Sequence, residues 1–133
     1  MSEKRINPTQ DSAGEKETMY LVIKDHQASY PDPIVMHAGE TLEVSGKEDQ
    51  WNGNPDWTFI WCTNEQGKSG WVPKTYVELA GVTGKARHDY NAIELSVTVG
   101  EKVVAGQEES GWVWCTNMHG KSGWVPIENI KQE

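Results

Sequence analysis

Histidine and cysteine are the side chains of this sequence best suited to acid–base, nucleophilic or metal chemistry. His26 and His88 each adjoin an aspartate, Asp25 and Asp89. Neighbouring residues of a strand point to opposite faces, and no nucleophile recurs beside either pair, so these pairs do not make a catalytic constellation. The sequence also lacks a phosphate-binding loop, a zinc signature and paired catalytic carboxylates. We therefore predict a protein without enzymatic activity, metal or cofactor.

The two cysteines, Cys62 and Cys115, occupy the same place in two copies of one motif. Residues 61–73 read WCTNEQGKSGWVP and residues 114–126 read WCTNMHGKSGWVP. The cysteines could pair or bind metal, but neither has a Cys or His at metal-ligand spacing, and strands bury cysteine readily. We predict buried, reduced thiols, which are typical of a reducing compartment. No apolar run suits a signal peptide or a membrane span, so we predict a cytoplasmic protein.

Each copy of the motif carries two tryptophans that should face each other across a hairpin. Strand alternation puts Cys115 on one face and Trp114 on the other, with Trp124 opposite Trp114 on the next strand. A cross-strand aromatic pair stabilises a hairpin by about 0.5–1 kcal/mol, which is the structural interpretation. The alternative is an interface between domains or with a partner, where tryptophan is enriched. The candidate interface residues are Trp61, Trp71, Trp114 and Trp124.

Short strand-like segments flank both copies of the motif in the same order, and no segment has a convincing helical period. Turn residues separate them at regular spacing, which favours small β-barrels. We predict an all-β chain: a disordered tail over 1–18, a five-stranded barrel over 19–80 and another over 81–133. The offset between matching residues falls from 64 to 61 to 53, so the first repeat has three extra residues in one loop and eight in another. The connection 79–85 has little slack, which predicts docked barrels.

The chain is acidic, with a formal net charge of −8. It has no basic stripe, which argues against nucleic acid and anionic membranes as partners. A cationic or neutral partner is easier to accommodate.

Each half resembles an SH3 domain, a small five-stranded barrel that binds proline-rich peptides. In the second half, ARHDY (86–90) is similar to the family's ALYDY motif, ELSVTVGE (94–101) to the stretch before its second strand, and GWVP (123–126) to its glycine-aromatic-aliphatic-proline signature. The counterparts in the first half are VIKDH (22–26), IVMHAGE (34–40) and GWVPKTYVE (70–78). The tandem arrangement resembles bacterial, cytoplasmic members of the superfamily. The resemblance implies two tandem SH3-like barrels.

The resemblance also implies where a peptide would bind, because SH3 domains hold polyproline helices on a row of aromatic rings beside acidic loop residues. In the second repeat the implied groove residues are Tyr90, Trp112, Pro126, His88 and Glu94, with Glu108 and Glu109 opposite. In the first repeat they are Tyr76, Pro73, Phe59, Asp32 and Trp57. Trp57 is one of two loop tryptophans, with Trp51, that could fold over Phe59.

Several ring positions of the family's row are altered. Lys24 and His26 replace both motif tyrosines of the first repeat, and Asn129 replaces the tyrosine after the second short helical turn. We expect each groove to keep one slot, formed by Tyr90 with Trp112 and by Tyr76 with Trp57. The predicted function is therefore a protein- or peptide-interaction module for proline-rich or extended segments. The alternatives are an assembly protein that uses its tryptophan faces, and a small-ligand binder at the cleft between the barrels.

Overall fold

The computed structural model describes residues 18–133, which form an all-β structure. Residues 1–17 of the predicted tail lie outside the described residues. The strands are β1 (Thr18–Val22), β2 (Val35–Met36), β3 (Thr41–Gln50), β4 (Thr58–Thr63), β5 (Ser69–Pro73), β6 (Val77–Ala80), β7 (Thr83–Ala86), β8 (Tyr90–Asn91), β9 (Lys102–Glu109), β10 (Trp112–Asn117), β11 (Ser122–Pro126) and β12 (Ile130–Gln132). Single 3-10 turns occur at Trp51–Gly53, Lys74–Tyr76 and Ile127–Asn129. In this part of the chain no helix has the length and apolar character needed to cross a membrane.

The repeated motif forms the hairpins β4–β5 and β10–β11. Each cysteine is buried and lies opposite a glycine, as in the pair Cys115 and Gly123. The glycine is required because a Cβ atom at Gly123 would lie 2.7 Å from the backbone of Glu94 and Leu95. The tryptophan pairs lie opposite each other in register, on the other face from the cysteines. The predicted hairpins, with cysteine and tryptophan on opposite faces, are confirmed. The tryptophans were expected on the outside, but Trp124 is buried because it packs into the core of the first unit.

Each of the two five-stranded sheets contains a strand from the other repeat. The first sheet has the order β5-β4-β3-β7-β6, and the second has the order β11-β10-β9-β1-β12. Strand β7 therefore lies between β3 and β6, and β1 lies between β9 and β12. We call each sheet with its buried side chains a unit. Both units are complete, but each is completed by the leading strand of the other repeat.

A tight turn between β6 and β7 explains this strand exchange. Ala80 pairs with Thr83, so only Gly81 and Val82 connect the two strands. Gly81 has a φ of 67°, which a glycine adopts without steric cost. Strands joined by two residues must run as an antiparallel hairpin. The connection therefore holds β7 against β6, in the position that β1 occupies beside β12.

The predicted boundaries 19–80 and 81–133 follow the repeats of the sequence, whereas the hydrogen-bonded sheets cross them. The segment around β1 contributes Val22 to the second unit's core, with Leu95, Val97 and Val103. Burying a valine of this kind stabilises a fold by roughly 1.5–3 kcal/mol. The first unit's core takes residues of both repeats in the same way: Ile34, Met36, Leu42, Ile60, Cys62, Val72, Tyr76, Val77, Ala86, Tyr90 and Trp124.

The segment from β1 to β2 and the segment from β7 to β8 cross each other between the two sheets. There β2 and β8 form a two-stranded sheet, in which Met36 pairs with Tyr90. Farther along, the backbones of His26 and Val97 exchange two hydrogen bonds of 3.0 and 2.9 Å. The two units are therefore joined by backbone pairing, and the ring-bearing loops of both repeats meet at the crossing.

Candidate functional site

A cleft of about 240 Å³ lies between the two units, next to the crossing. Both repeats supply its walls, and seven aromatic side chains line it together with three carboxylates. The lining residues are His26, Ser29, Tyr30, Pro33, Ile34, Asp49, Trp51, Phe59, Ser69, Gly70, Trp71, Pro73, Tyr90, Ala92, Glu94, Glu109, Trp112 and Trp124.

One wall of the cleft is built around Tyr90. Its ring packs edge-on against Tyr76, with 5.5 Å between ring centroids, and stacks on Trp124 at 6.0 Å. Tyr76 also packs against His88 at 5.0 Å. The row His88–Tyr76–Tyr90 therefore combines two rings of the second repeat with one of the first, because β7 carries His88 and Tyr90 into the first unit.

The pKa values of Tyr90 and of Tyr76 behind it are both raised, which favours the neutral hydroxyls. Burial raises the pKa of Tyr90, and the neighbouring Tyr76, Glu94 and Glu109 raise it further. Burial also raises the pKa of Tyr76, with Glu109 adding to the effect. Gln107 of the second unit donates a hydrogen bond of 2.9 Å to the Tyr76 hydroxyl. Tyr76 is therefore already engaged by the facing unit.

The opposite wall is built around Trp112. His26 packs edge-on against its indole, with 5.4 Å between ring centroids. The His26 Nε2 atom lies 2.9 Å from Glu94 Oε1, and both side chains are mostly buried. The backbone N–H of Ser29 donates to the same oxygen at 3.2 Å. This wall is also composite, since His26 and Ser29 come from the first repeat.

The eight extra residues of the first repeat reach across to Trp112. Trp51 lies against Trp112, with 4.7 Å between ring centroids. Trp57 lies over Gly111, where a Cβ atom would come within 2.7 Å of both loop tryptophans. Either tryptophan was expected to cover Phe59 of its own repeat. Instead both contact the second unit, because the strand exchange places the β9–β10 turn beside this loop.

The ring pairs also differ from the expected pairs. Tyr90 was expected beside Trp112 and Tyr76 beside Trp57, within single repeats. The structure pairs Tyr90 with Tyr76, and Trp112 with His26 and Trp51. Exchange of the leading strands is the reason, since each motif segment moves to the other unit.

The cleft gathers part of the groove set expected from the sequence. Five of these residues line it: Tyr90, Trp112, Glu94, Pro73 and Phe59. The others lie outside its lining: Tyr76, His88, Pro126, Trp57 and Asp32. Asp32 is largely exposed and forms a 2.8 Å ion pair with Lys68.

The two tryptophan pairs have similar geometry but different surroundings. Trp61 with Trp71 and Trp114 with Trp124 are edge-on pairs, with centroids 5.2 and 5.3 Å apart. Trp124 belongs to the first unit's core, and its Nε1 atom donates to the Asn91 carbonyl oxygen at 2.8 Å. Trp71 and Trp124 both line the cleft, whereas their partners do not.

The sequence did not single out His26 or Tyr30 as parts of a binding site. His26 was considered as the neighbour of Asp25 and as a replacement in the tyrosine row, and not as a groove residue. The short connection 79–85 was the feature of the sequence that could have indicated this arrangement. A connection too short to span a barrel makes the leading strands exchange, and the aromatic residues that follow them then lie in the other unit.

The cleft carries a negative field. Asp49, Glu94 and Glu109 line it, and its lining includes no lysine or arginine. Glu109 accepts hydrogen bonds from Ser110 Oγ at 2.7 Å and from Thr75 Oγ1 at 3.4 Å. An aromatic, acidic cleft of this kind can hold a neutral or cationic segment by ring packing and charge.

Comparison with known protein families gives one match. The family model described as "Variant SH3 domain" matches residues 19–80 and again residues 83–133. No curated protein and no solved structure matches the chain significantly.

Proposed function

Because the chain belongs to the variant SH3 domain family, with two copies in tandem, we propose that it is a non-enzymatic module that binds an extended, proline-rich segment of a partner protein in the cleft between its units. Domains of this family generally mediate protein–protein interactions. The proposal adds the place of binding and the kind of segment.

The observation that carries the proposal is that groove positions of both repeats line one cleft. Tyr90 and Trp112 of the second repeat line it together with Phe59 and Pro73 of the first. A polyproline segment has no internal hydrogen bonds and loses little entropy on binding, so flat apolar walls and a few polar groups suffice to hold it. One composite cleft thus replaces two separate grooves in this proposal.

Charge favours a segment with a lysine or arginine among its prolines. The cleft carboxylates Asp49 and Glu94 attract a cation, and the chain as a whole is acidic. Electrostatic complementarity of this kind contributes more to association rate and selectivity than to affinity.

A cytoplasmic setting is part of the proposal. Cys62 and Cys115 are both buried and free, which suits a reducing compartment.

Reversing the charge of Asp49 should weaken this binding. Asp49 is exposed at the cleft, so Asp49→Lys leaves the core intact and adds a repulsive charge. We expect about a three- to tenfold loss of affinity for a basic proline-rich peptide at low salt, and a smaller loss for a neutral one. NMR titration of the full chain with both peptides measures it.

Glu43→Lys is the matched control, since Glu43 is also exposed and acidic but lies outside the cleft lining. Equal losses of affinity in both variants would mean that the effect comes from the net charge of the chain and not from the cleft. If no proline-rich peptide shifts the signals of Tyr90 or Trp112, the proposal is wrong. Self-association in light scattering would then favour the assembly alternative, and thermal stabilisation by small molecules would favour the ligand-binding alternative.

A further inference from the structure

We propose that the second unit is a receptor for a tryptophan presented on a loop, and that residues 50–57 of the first repeat are its built-in, displaceable occupant. Residues 50–57 are called the inserted loop below. A partner that presents a tryptophan in a similar loop would take its place. This inference rests on the proposed function in so far as the receptor shares Trp112 with the cleft.

The inserted loop is what distinguishes the two repeats most. In the second repeat the equivalent connection between β9 and β10 is a two-residue turn, Ser110–Gly111, closed by the pairing of Glu109 with Trp112. Both turn residues have positive φ, 52° and 90°. A short turn thus suffices to join these strands, so the longer connection of the first repeat is not needed for the hairpin.

The receptor surface fits the loop closely. The indole of Trp51 packs on Trp112, whose other neighbour is the His26 ring. Gly111 forms the floor, and a side chain there would overlap Trp51 and Trp57. At the rim, Asn52 Nδ2 donates a 2.7 Å hydrogen bond to Glu128 Oε1. A ring wall, a bare floor and a carboxylate acceptor together recognise an indole followed by an amide donor.

The loop reaches this surface as a preformed unit. The Trp51 N–H donates to the Trp57 carbonyl oxygen at 2.9 Å, and the Asn54 N–H donates to the Trp51 carbonyl oxygen at 3.1 Å. Asn52 has a φ of 54°, a conformation that asparagine tolerates better than most residues. The loop is therefore closed on itself, as a ligand loop must be to present its tryptophan.

One polar atom of the occupant is not satisfied. Among the described residues, Trp51 Nε1 is the buried side-chain nitrogen or oxygen atom that has no hydrogen-bond partner. A buried N–H without an acceptor is destabilising, so the built-in contact is weaker than the same contact with that donor satisfied. An external indole whose N–H finds an acceptor would compete favourably.

The test vacates the receptor and returns the loop as a peptide. In the full chain, residues 51–57 are replaced by Ser-Gly, the turn that the second repeat uses. The probe is a synthetic peptide of residues 48–60, followed by NMR. We expect saturable shifts at Trp112 and Glu128 in this shortened chain, at least tenfold weaker binding to the unaltered chain, and at least tenfold weaker binding of the peptide that carries Trp51→Ala.

Two glycine variants of the shortened chain provide the control. Gly111→Ala should abolish peptide binding, because the added Cβ fills the floor of the receptor. Gly120→Ala should leave it unchanged, because Gly120 has a similar φ of 83° but open space around it. The comparison separates the steric effect from the backbone strain that both substitutions share.

Absence of saturable binding to a folded shortened chain overturns the inference, and so does binding that ignores Trp51→Ala or Gly111→Ala. Should the shortened chain not fold, Trp51→Ala in the full chain empties the slot, and N-acetyltryptophanamide replaces the peptide as probe. It should then bind near Trp112 in the variant and at least tenfold more weakly in the unaltered chain; equal or absent binding counts against the receptor. Proline-rich peptide binding by the unaltered chain is measured separately, so the proposed function can survive this failure.

Discussion

At the residue scale, a position that departs from the aromatic row of the family has a structural role in this chain. Asn129 stands where a tyrosine was expected, and it is buried. Its Nδ2 atom donates to the carbonyl oxygens of Lys24 and Asp25, at 3.2 and 3.0 Å. It thereby fixes the exchanged segment that precedes His26. At this position the chain has two hydrogen bonds to the segment from the other repeat in place of an aromatic ring.

The buried thiols should make the fold sensitive to alkali. Burial raises the pKa of Cys62 and Cys115 from 9.0 to about 11. The folded state therefore holds these protons more tightly than the unfolded state does. The resulting stability is fully present below pH 9 and is lost as the pH rises toward 11, on the order of 1–3 kcal/mol per thiol. Urea unfolding at a series of pH values measures the loss.

The control is the double variant Cys62→Ala with Cys115→Ala. It should be less stable at every pH but lose less stability between pH 9 and 11. Tyr76 and Tyr90 contribute to the decline that remains, because their pKa values are also raised. An unchanged slope would mean that the thiols do not contribute.

At the element scale, local patterns predicted the hairpins, whereas strand pairing depended on a connection. The β4–β5 and β10–β11 hairpins were predictable because alternation and turn residues act over a few positions. The partners of β1 and β7 were not, because both leading strands offer similar apolar residues, Val22 and Ala86, to either core. The two-residue turn Gly81–Val82 decides between the arrangements by geometry.

Engineered disulfides can read this pairing directly. Leu21 lies opposite Lys102, and Thr41 lies opposite Lys85. We expect the variant Leu21→Cys with Lys102→Cys to form a disulfide on mild oxidation, because cross-strand Cβ atoms are close enough to bridge. Mass spectrometry of proteolytic fragments identifies the link.

Leu21→Cys with Thr41→Cys is the matched pair for an arrangement without exchange, in which Leu21 would face Thr41. It should remain reduced under the same conditions. Efficient formation of this second disulfide, and not of the first, would show that β1 pairs within its own repeat. The native cysteines are fully buried in both cases.

The candidate site was predictable only as a set of parts. Tyr90, Trp112 and Glu94 were identified because each matches a groove position of the family. Their arrangement was not predictable, since the cleft exists only after the strands exchange and the inserted loop crosses to Trp112. His26 and Tyr30 join the site through this tertiary arrangement, which no local pattern in the sequence encodes.

At the scale of the whole molecule, the shared strands make the two units depend on each other. Neither sheet is complete without residues from the other repeat. Small structures that share a core element usually unfold together. We therefore expect the chain to unfold in one cooperative transition, so that a substitution that destabilises one unit also destabilises the other.

Leu42→Ala tests this dependence. Leu42 is fully buried in the first unit, and its truncation should cost about 2–5 kcal/mol. We expect one unfolding transition, with its midpoint lowered equally for amide signals of Ile60 in the first unit and Val103 in the second. Urea titration followed by NMR measures both, with the exposed Val99→Ala as control. A shift confined to Ile60 would indicate independent units.

The turn at Gly81–Val82 also bears on how the chain is made. During synthesis β1 leaves the ribosome first, but β9, the nearer of its partners, begins at Lys102, 80 positions after β1 ends at Val22. The first sheet can assemble once β7 has emerged, whereas β1 must wait with its backbone unpaired. Unpaired strands are templates for association with other chains, and distant pairings form slowly. The interval between translation of β7 and β12 is therefore when this protein is most exposed to misassembly with a second nascent copy.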